Sequence, residues 1–302
     1  MMERVLEIAK AHLGGLVLRT VRPPWDRRGD RKGTCNVCGA EGRFAFNSWV
    51  VPREIFGSDS YSGVRRSYEV RESMVCRVCA SNDRVRRISS CLLDLYGNGE
   101  DQTVDQLLNR ESFRHLDVAE INAIGSVGSL HRYLSRLPNL VFSQYRSDVP
   151  LGSIADGIRN EDMCNLSYAD SSFDLVLSSD TLEHVPDYTE ALSEVRRILR
   201  PGGRMILTVP VDGKLARTKS RARVDSDGSI LHLDEPVYHG RGRGLLRLVP
   251  VGEDMLTFTD FGVDVSTVLT QVGFRVETFQ DGDDPTGASW VFCGLIPSET
   301  DA

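Results

Sequence analysis

The chain has 302 residues, of which 40% are hydrophobic, so it is long enough to bury one large core and a smaller one. It contains no run of 18 or more apolar residues, which excludes a helix that spans a membrane. Residues 1–90 carry a charge of about +7 and the remainder about −14, within a total of −7, which predicts two units with different surfaces.

Residues 1–24 predict an amphipathic helix rather than a secretory signal, because Glu3 and Arg4 precede the apolar positions and no cleavage pattern follows. We therefore expect a cytoplasmic protein. The basic front could contact an anion, but basic surfaces are more often only solvated, and aromatic residues are not interleaved with the arginines. The composition therefore argues against a nucleic-acid partner and leaves the oligomeric state open.

Four of the seven cysteines form two pairs, Cys35 with Cys38 and Cys76 with Cys79. In each pair a two-residue gap lets a tight turn aim both thiolates at one ion, and two pairs complete the tetrahedral sulfur shell that zinc prefers. Four thiolates leave no open position, so the predicted metal is structural. Two alternatives stay open, free buried cysteines and a redox dithiol, although no thioredoxin-like pattern surrounds either pair. The other cysteines are predicted to be core residues: Cys91, Cys164 and Cys293.

The segments around the cysteines predict a small module of the zinc-ribbon or treble-clef kind. Residues 44–52 and 67–75 have the composition of short strands. Shortly after the second pair, Arg84, Arg86 and Arg87 precede an apolar helical stretch. These arginines are either the solvated start of that helix or a clamp for a carboxylate or phosphate of a substrate.

From about residue 100 onward, helical and strand-like patterns alternate, which predicts an α/β fold with a mostly parallel sheet covered on both faces. Ligands of such sheets bind at the carboxyl ends of the strands. Helical spacing occurs at residues 101–116, 128–138, 188–203 and 263–274. Buried-strand patterns occur at residues 117–121, 139–145, 173–180, 204–211, 274–280 and 289–296.

Two stretches carry a family resemblance. Residues 120–134 read EINAIGSVGSLHRYL, and residues 158–210 contain FDLVLSSDTLEHV, a helix and LRPGG. This succession resembles the class I S-adenosylmethionine-dependent methyltransferases of the type 11 group over most of residues 115–295. The resemblance implies a Rossmann-like seven-stranded sheet whose final strand is antiparallel. It implies three parts of the chain: an N-terminal helix and zinc module at 1–95, a methyltransferase domain at 96–302, and within that domain a long insertion at about 212–258.

The resemblance also assigns cofactor-binding roles to the first strand and its loop. Glu120 ends that strand, where the acid of the family holds the methionine amino group. Gly125 and Gly128 would let the backbone approach the cofactor closely. In the family, glycines stand two, four and six positions after the acid, where this chain has Asn122, an isoleucine and a serine.

Other cofactor positions follow along the same edge. Gln144, at the end of the second strand, takes the place of the acid that holds the ribose hydroxyls, and an amide can still accept and donate hydrogen bonds. Asp162 and Met163 match the acid and the backbone amide that contact adenine. Ser179 and Asp180 end the strand predicted at 173–180. Such polar residues indicate a site, because a buried parallel strand needs none.

Three residues are candidates for proton transfer. Methyl transfer is an in-line displacement, so positioning contributes most, and a base helps when the acceptor is a hydroxyl. His184 follows the strand predicted at 173–180. It either accepts the proton of the acceptor hydroxyl or orients its own loop. Tyr238 and His239 lie in the insertion, where His239 is either a base or a surface histidine. Insertions of this length are usually lids, substrate walls or disordered.

The sequence therefore predicts an enzyme that transfers a methyl group from S-adenosylmethionine to a small molecule, which could contain a sugar or be linked to a carrier. Two alternatives remain. One is a non-catalytic scaffold with the methyltransferase fold, which the altered glycine loop and Gln144 support. The other is an RNA-modifying methyltransferase that holds RNA with its basic module.

Overall fold

The computed structural model describes residues 31–46, 71–72, 74–123, 129–239, 255–280 and 290–298. Its strands are β1 (Arg31–Thr34), β2 (Glu41–Phe46), β3 (Met74–Cys76), β4 (Val118–Ile121), β5 (Leu140–Gln144), β6 (Ile154–Ala155), β7 (Ile158–Asn160), β8 (Phe173–Ser179), β9 (Leu199–Thr208), β10 (Lys219–Ser220), β11 (Ala222–Val224), β12 (Ile230–His232), β13 (Tyr238–His239), β14 (Met255–Leu256), β15 (Thr259–Asp260), β16 (Arg275–Phe279) and β17 (Val291–Leu295). Its α-helices are α1 (Asp83–Tyr96), α2 (Val104–Leu107), α3 (Glu111–Arg114), α4 (His131–Leu134), α5 (Tyr188–Ile198) and α6 (Val265–Val272), and a 3₁₀ turn spans Leu182–His184. Within the described ranges, no helix has the length and apolar character needed to cross a membrane.

Eight strands form the central sheet, in the order β16-β17-β9-β8-β4-β5-β7-β6. Strands β7, β5, β4, β8 and β9 run parallel, whereas β17 is antiparallel to both of its neighbours. The predicted α/β sheet with a reversed final strand is thereby confirmed. The additional edge strand, β6, pairs antiparallel with β7 because Asp156 and Gly157, with φ of 55° and 78°, form a tight two-residue hairpin turn.

The sheet separates two apolar cores, one on each face. From Leu175 onward, side chains of β8 alternate between them: Val176 belongs to the first core, and Leu175 and Leu177 belong to the second. Phe173 also belongs to the first core, because the register of β8 shifts between Phe173 and Leu175. Both sets are buried, which explains why this parallel strand is apolar almost throughout.

Helices α5 and α6 pack in the first core. The side chain of Asp187 caps α5 by accepting hydrogen bonds from two backbone amides of the first helical turn, which have no partner within the helix. Leu192 and Val195 of α5 are fully buried on its inner face, and burying each such side chain stabilises the fold by about 1.5–3 kcal/mol. Helix α6 ends at Gly273, whose φ of 102° is a left-handed conformation that glycine adopts easily.

Helix α1 and the cysteine module cover the second face. The buried residues Cys35, Cys76 and Cys79 belong to the same apolar cluster as Leu175 and Leu177 of β8. Strands β1, β2 and β3 form a separate antiparallel sheet beside them. The cysteine module and the central sheet therefore share one continuous core.

Four local features differ from the expectation drawn from the sequence. The helix predicted over 188–203 ends at Ile198, because the chain from Leu199 onward forms β9. The helix predicted over 101–116 consists of two short helices, α2 and α3, because the chain turns between them and buries both Leu107 and Phe113. The helix predicted over 128–138 is reduced to α4 among the residues described there. The hairpin of β6 and β7 was not predicted, although Asp156-Gly157 is a known signal for such a turn.

Candidate functional site

The four paired cysteines converge in the structure. Their sulfur atoms all lie within 4.8 Å of one another. The distance between Cys35 Sγ and Cys79 Sγ is 3.7 Å, and that between Cys38 Sγ and Cys76 Sγ is 3.8 Å. A tetrahedral zinc ion with Zn–S bonds of about 2.3 Å requires sulfur atoms about 3.8 Å apart. Each of these contacts joins one pair to the other, as a shared ion requires and a dithiol within one pair does not.

Two similar turns produce this arrangement. In the first, the backbone amide of Gly39 donates to the carbonyl of Cys35 over 2.7 Å, and in the second the amide of Ala80 donates to the carbonyl of Cys76 over 2.9 Å. Gly39 and Ala80 both have left-handed backbones, with φ of 74° and 64°. The amide of Val78 also donates to Cys76 Sγ over 3.4 Å, which favours a thiolate at that position.

The predicted cofactor acid, Glu120, is the penultimate residue of β4 and is fully buried. Its Oε2 lies 2.6 Å from Nδ1 of His131 in α4. The hydrogen bond to Glu120 raises the pKa of His131, which favours an imidazolium facing the carboxylate. The ring of His131 also packs on Phe142 of β5, with centroids 4.3 Å apart. The sequence analysis did not identify His131 as part of the site, and its position 11 residues after Glu120 on a short helix is the only signal that it carries.

Asn122 has the backbone conformation expected of a glycine. Its φ is 62°, and asparagine is one of the few residues other than glycine that tolerate this left-handed region. Its side-chain amide donates to Thr181 Oγ1 over 3.1 Å, which ties the loop after β4 to the end of β8. The predicted positions Gly125 and Gly128 lie outside the described residues.

Gln144 and Asp162 lie at the same edge of the sheet. Gln144 pairs in register with Asn160, two residues before Asp162, and its carbonyl accepts from the amide of Glu161 over 3.2 Å. Asp162 Oδ1 accepts from the amide of Cys164 over 2.9 Å, so this carboxylate organises its own turn. Met163, predicted to contact adenine through its backbone, has its side chain buried in the first core.

Asp180 and Ser179 lie at the end of β8, where two arginines of the cysteine module contact them. Arg71 donates to both carboxylate oxygens of Asp180 over 2.7 Å, and only 1% of its side chain is exposed. Arg84 Nε lies 3.3 Å from Asp180 Oδ2, and Arg84 also donates to Ser179 Oγ. Thr208 Oγ1, at the end of β9, donates to Asp180 Oδ1 over 2.9 Å. Burial opposes ionisation of Asp180, but the charges of Arg71 and Arg84 outweigh it and hold its pKa well below the ordinary value.

The arginines noted in the sequence therefore have partners within the chain. Arg84 contacts the carboxylates of Glu72 and Asp180. Arg86 and Arg87 both pair with Asp83 in the first turn of α1, as expected for the start of a helix. The sequence analysis missed Arg71 and Glu72, since nothing local relates Arg71 to a partner 109 residues away.

His184 lies beside the insertion. Its Nδ1 donates to the carbonyl of Leu256 over 2.9 Å, so Nε2 is the unprotonated nitrogen of the neutral ring, and Nε2 lies 3.6 Å from Glu183 Oε1. Burial lowers the pKa of His184, which favours this neutral form. Burial also raises the pKa of the adjacent Glu183 well above its ordinary value, and the negative charge of Asp180 adds to that rise.

The other two proton-transfer candidates lie one strand away from His184. Tyr238 pairs in register with Leu256, and His239 with Met255, in the hairpin of β13 and β14. Tyr238 is 40% exposed. The backbone pairing thus places Tyr238 opposite Leu256, whose carbonyl contacts His184.

The insertion predicted at 212–258 is described over 212–239 and 255–258, where it forms short hairpins rather than irregular loop. A buried ion pair anchors it: Arg221 NH1 lies 2.6 Å from Asp260 Oδ2. The amide of Phe258 donates to the carbonyl of Glu183 over 2.8 Å, so the insertion packs directly on the turn that carries His184. Residues 240–254 lie outside the described ranges.

The sheet order, the reversed β17 and the acid at the end of β4 together define the fold of a class I methyltransferase. Residues 140–207 match the family described as Methyltransferase domain. The chain is 37% identical to the 27-O-demethylrifamycin SV methyltransferase of Amycolatopsis mediterranei over 90 residues, which are 28% of this chain and 33% of that protein.

Two further relatives are similar over longer segments. Methyltransferase GfsG of Streptomyces halstedii is 33% identical over 30% of this chain and 36% of its own length. O-methyltransferase rstn1 of Aspergillus nomiae is 28% identical over 50% of this chain and 55% of its own length. The chain thus spans between a third and just over half of the length of these relatives. A solved S-adenosylmethionine-dependent methyltransferase from Mesorhizobium loti is 16% identical over 60% of this chain and 90% of that protein, with a TM-score of 0.36, which is too low to support an inference.

Proposed function

We propose that this protein is an S-adenosylmethionine-dependent methyltransferase that acts on a small molecule. The observation that supports the proposal is the buried Glu120 near the end of β4, two residues before Asn122, whose backbone has the left-handed conformation that a glycine would take. Glu120 corresponds to the acid of the family's cofactor loop. Asn122 corresponds to the glycine two positions after that acid and has a glycine-like backbone conformation. Gln144 and Asp162 add polar groups along the same edge.

The residues present fit this cofactor. Glu120 would accept from its amino group, with His131 orienting the carboxylate. Gln144 would contact the ribose, and Asp162 with the amide of Met163 the adenine. When bound, the cofactor supplies an electrophilic methyl group on a sulfonium. The chain then has to hold the acceptor in line with that group and exclude water.

The acceptor is proposed to be a small molecule with a hydroxyl group. Molecules that contain a sugar or are linked to a carrier are the candidates. The names of two relatives, a 27-O-demethylrifamycin SV methyltransferase and an O-methyltransferase, support oxygen as the acceptor atom. A hydroxyl must lose its proton, and His184 would take it, because its ring is neutral and Nδ1 is occupied by the Leu256 carbonyl. Tyr238 and His239 would line the acceptor side.

The four cysteines are proposed to hold one structural zinc ion. Their distances fit a tetrahedral shell, and their burial among the apolar residues of the second core gives the metal a role in folding rather than in the reaction.

Titration calorimetry tests the cofactor assignment. We expect the wild-type protein to bind both S-adenosylmethionine and S-adenosylhomocysteine, and Asp162→Ala to weaken binding, whereas Asp170→Ala on the exposed surface should not change it. The absence of heat with either compound in the wild type would remove the proposal. An unchanged dissociation constant in Asp162→Ala would show that the adenine assignment is wrong.

A kinetic comparison tests the role of His184 once an acceptor is identified. If His184 is the base, His184→Asn should lower kcat by about 10²- to 10⁴-fold and leave the dissociation constant of S-adenosylmethionine unchanged. If it only orients its loop, cofactor affinity should fall together with kcat.

One observation favours a second candidate function, a non-catalytic scaffold. Three side chains predicted to contact the cofactor, Glu120, Ser179 and Asp180, already have internal partners in His131 and the two arginines. The same calorimetric titration separates the candidates, since a scaffold of this kind would bind neither form of the cofactor.

A further inference from the structure

The turn at the second cysteine pair determines where the neighbouring polar residues lie. The amide of Cys76 donates to the carbonyl of Ser81 over 2.8 Å, which closes the turn around the two sulfur ligands. Asn82 follows directly. Its side-chain oxygen caps α1, and its amide nitrogen donates to Glu72 Oε2 over 2.7 Å. The metal-binding turn therefore holds Glu72 through Asn82.

Glu72 in turn holds both arginines. Its Oε1 accepts from Arg71 over 2.9 Å and from Arg84 Nε over 2.8 Å. The arginines continue to Asp180 at the end of β8, so an unbroken series of hydrogen bonds runs from the cysteine turn to the carboxyl edge of the sheet. Every side chain in this series is buried or half-buried.

The charges in this network balance, with two arginines against the carboxylates of Glu72 and Asp180. Low exposure makes each of them dependent on its partners, because a buried charge that loses its partner is strongly destabilised. Asp180 itself has a φ of 49°, a left-handed backbone that an aspartate holds only when its surroundings require it. Displacement of the arginines would therefore change the position of Asp180 and of Ser179 next to it.

We propose that Arg71 and Arg84 are positioning residues of the methyl-transfer site, and that metal binding at the four cysteines is coupled through them to cofactor binding. This inference rests on the proposed function. If the metal had a purely structural role, substitution of Arg71 or Arg84 would change the melting temperature of the protein. It would not change the cofactor affinity of the folded, zinc-loaded protein.

Calorimetric titration of zinc-loaded variants with S-adenosylhomocysteine tests the coupling. We expect Arg71→Met to retain its zinc and to bind about 5- to 150-fold more weakly than the wild type, the usual range for coupled sites. Asp180→Asn should also weaken binding, and the double variant should be no weaker than the weaker single variant, because the two side chains act as one unit. The matched control is Arg146→Met, which removes an arginine from an exposed ion pair and should leave the affinity unchanged.

A conservative variant keeps the test decisive if Arg71→Met does not fold. Arg71→Lys keeps the charge but loses the two-pronged contact with Asp180, so it should weaken binding to a smaller extent. An unchanged dissociation constant in the folded variant, or strictly additive effects with Asp180→Asn, would overturn the inference and leave the proposed function intact. If the wild type does not bind S-adenosylhomocysteine, the proposed function is overturned and the inference with it.

The coupling must also act in the opposite direction. Because linkage between two binding sites is reciprocal, S-adenosylhomocysteine should raise the zinc affinity of the wild type by the same factor by which zinc raises cofactor affinity. Competition with a zinc chelator, with and without S-adenosylhomocysteine, measures this effect without any enzymatic assay. At S-adenosylhomocysteine concentrations set to the same multiple of each protein's dissociation constant, stabilisation of the folded state alone raises the zinc affinity equally in both proteins, so we expect a larger effect in the wild type than in Arg84→Met, and equal effects would overturn the coupling. Equal zinc affinities of the wild type in the two conditions would overturn the coupling.

Discussion

Removal of one sulfur ligand separates the metal site from ordinary buried cysteines. Cys35 and Cys91 are both fully buried and belong to the same apolar cluster, but only Cys35 lies in the four-sulfur group. We therefore expect Cys35→Ser to lose zinc and most of its stability, whereas Cys91→Ser should keep zinc and lose little.

The expected magnitudes differ widely. Zinc binding to peptides with four ligands contributes about 10–16 kcal/mol at neutral pH. Net folding free energies of domains are about 5–15 kcal/mol, so loss of the ion removes an amount comparable to the whole stability. In Cys91→Ser, a buried hydroxyl replaces a thiol, which costs about 1–3 kcal/mol. For a chain of this size, that cost lowers the melting temperature by only a few degrees.

Metal analysis of the purified proteins and thermal unfolding followed by circular dichroism provide the measurements. The expected result is one zinc per chain in the wild type and in Cys91→Ser, and none in Cys35→Ser, which should also lack the cooperative transition of the other two. Zinc-free wild-type protein from zinc-supplemented cultures would refute the reasoning. Equal melting temperatures for the two variants would do so as well.

Further substitutions test three individual contacts. Because the hydrogen bond to Glu120 raises the pKa of His131, its stabilisation of about 1.5–3 kcal/mol is present below about pH 6.5 and is lost as the pH rises through the folded-state pKa; urea unfolding should therefore show that His131→Gln costs more at pH 6 than at pH 9. Asn122→Ala should cost about 2 kcal/mol, from the left-handed backbone and the lost hydrogen bond, whereas Asn122→Gly should cost only about 1 kcal/mol for the hydrogen bond. Arg221→Met leaves Asp260 buried without its charge partner and should cost about 3–5 kcal/mol, part of which Asp260→Asn should restore.

Each of these has a control and a contrary outcome. For His131, an equal loss of stability at both pH values would contradict the ion pair. For Asn122, a glycine variant less stable than the alanine variant would contradict the backbone argument. For Arg221, the control is Arg146→Met at an exposed pair, which should give no measurable change, and an equally small effect at Arg221 would show that the buried pair does not anchor the insertion.

The local pattern of apolar and polar residues was sufficient to predict much of the fold. The positions of strands and helices follow from the periodicity of apolar residues, which the sequence displays directly, so the alternating elements and the mostly parallel sheet were predictable, whereas the reversed last strand followed from the family resemblance. The ends of elements were harder to predict where they depend on packing. The helix predicted over 101–116 divides in two because both halves bury side chains in the second core. The cysteine pairs were predictable because metal ligation imposes a spacing on them.

The sequence by itself determined which residues have the chemistry for a site, namely the cysteines, Glu120 and the polar end of β8. Only the tertiary structure decided their partners. Arg71 meets Asp180 across 109 residues, and His184 meets the carbonyl of Leu256 across 72. Such contacts join single polar groups from distant elements, and a single pair leaves no periodic trace in the chain. They arise only when the sheet brings the ends of its strands together and the cysteine module packs over them.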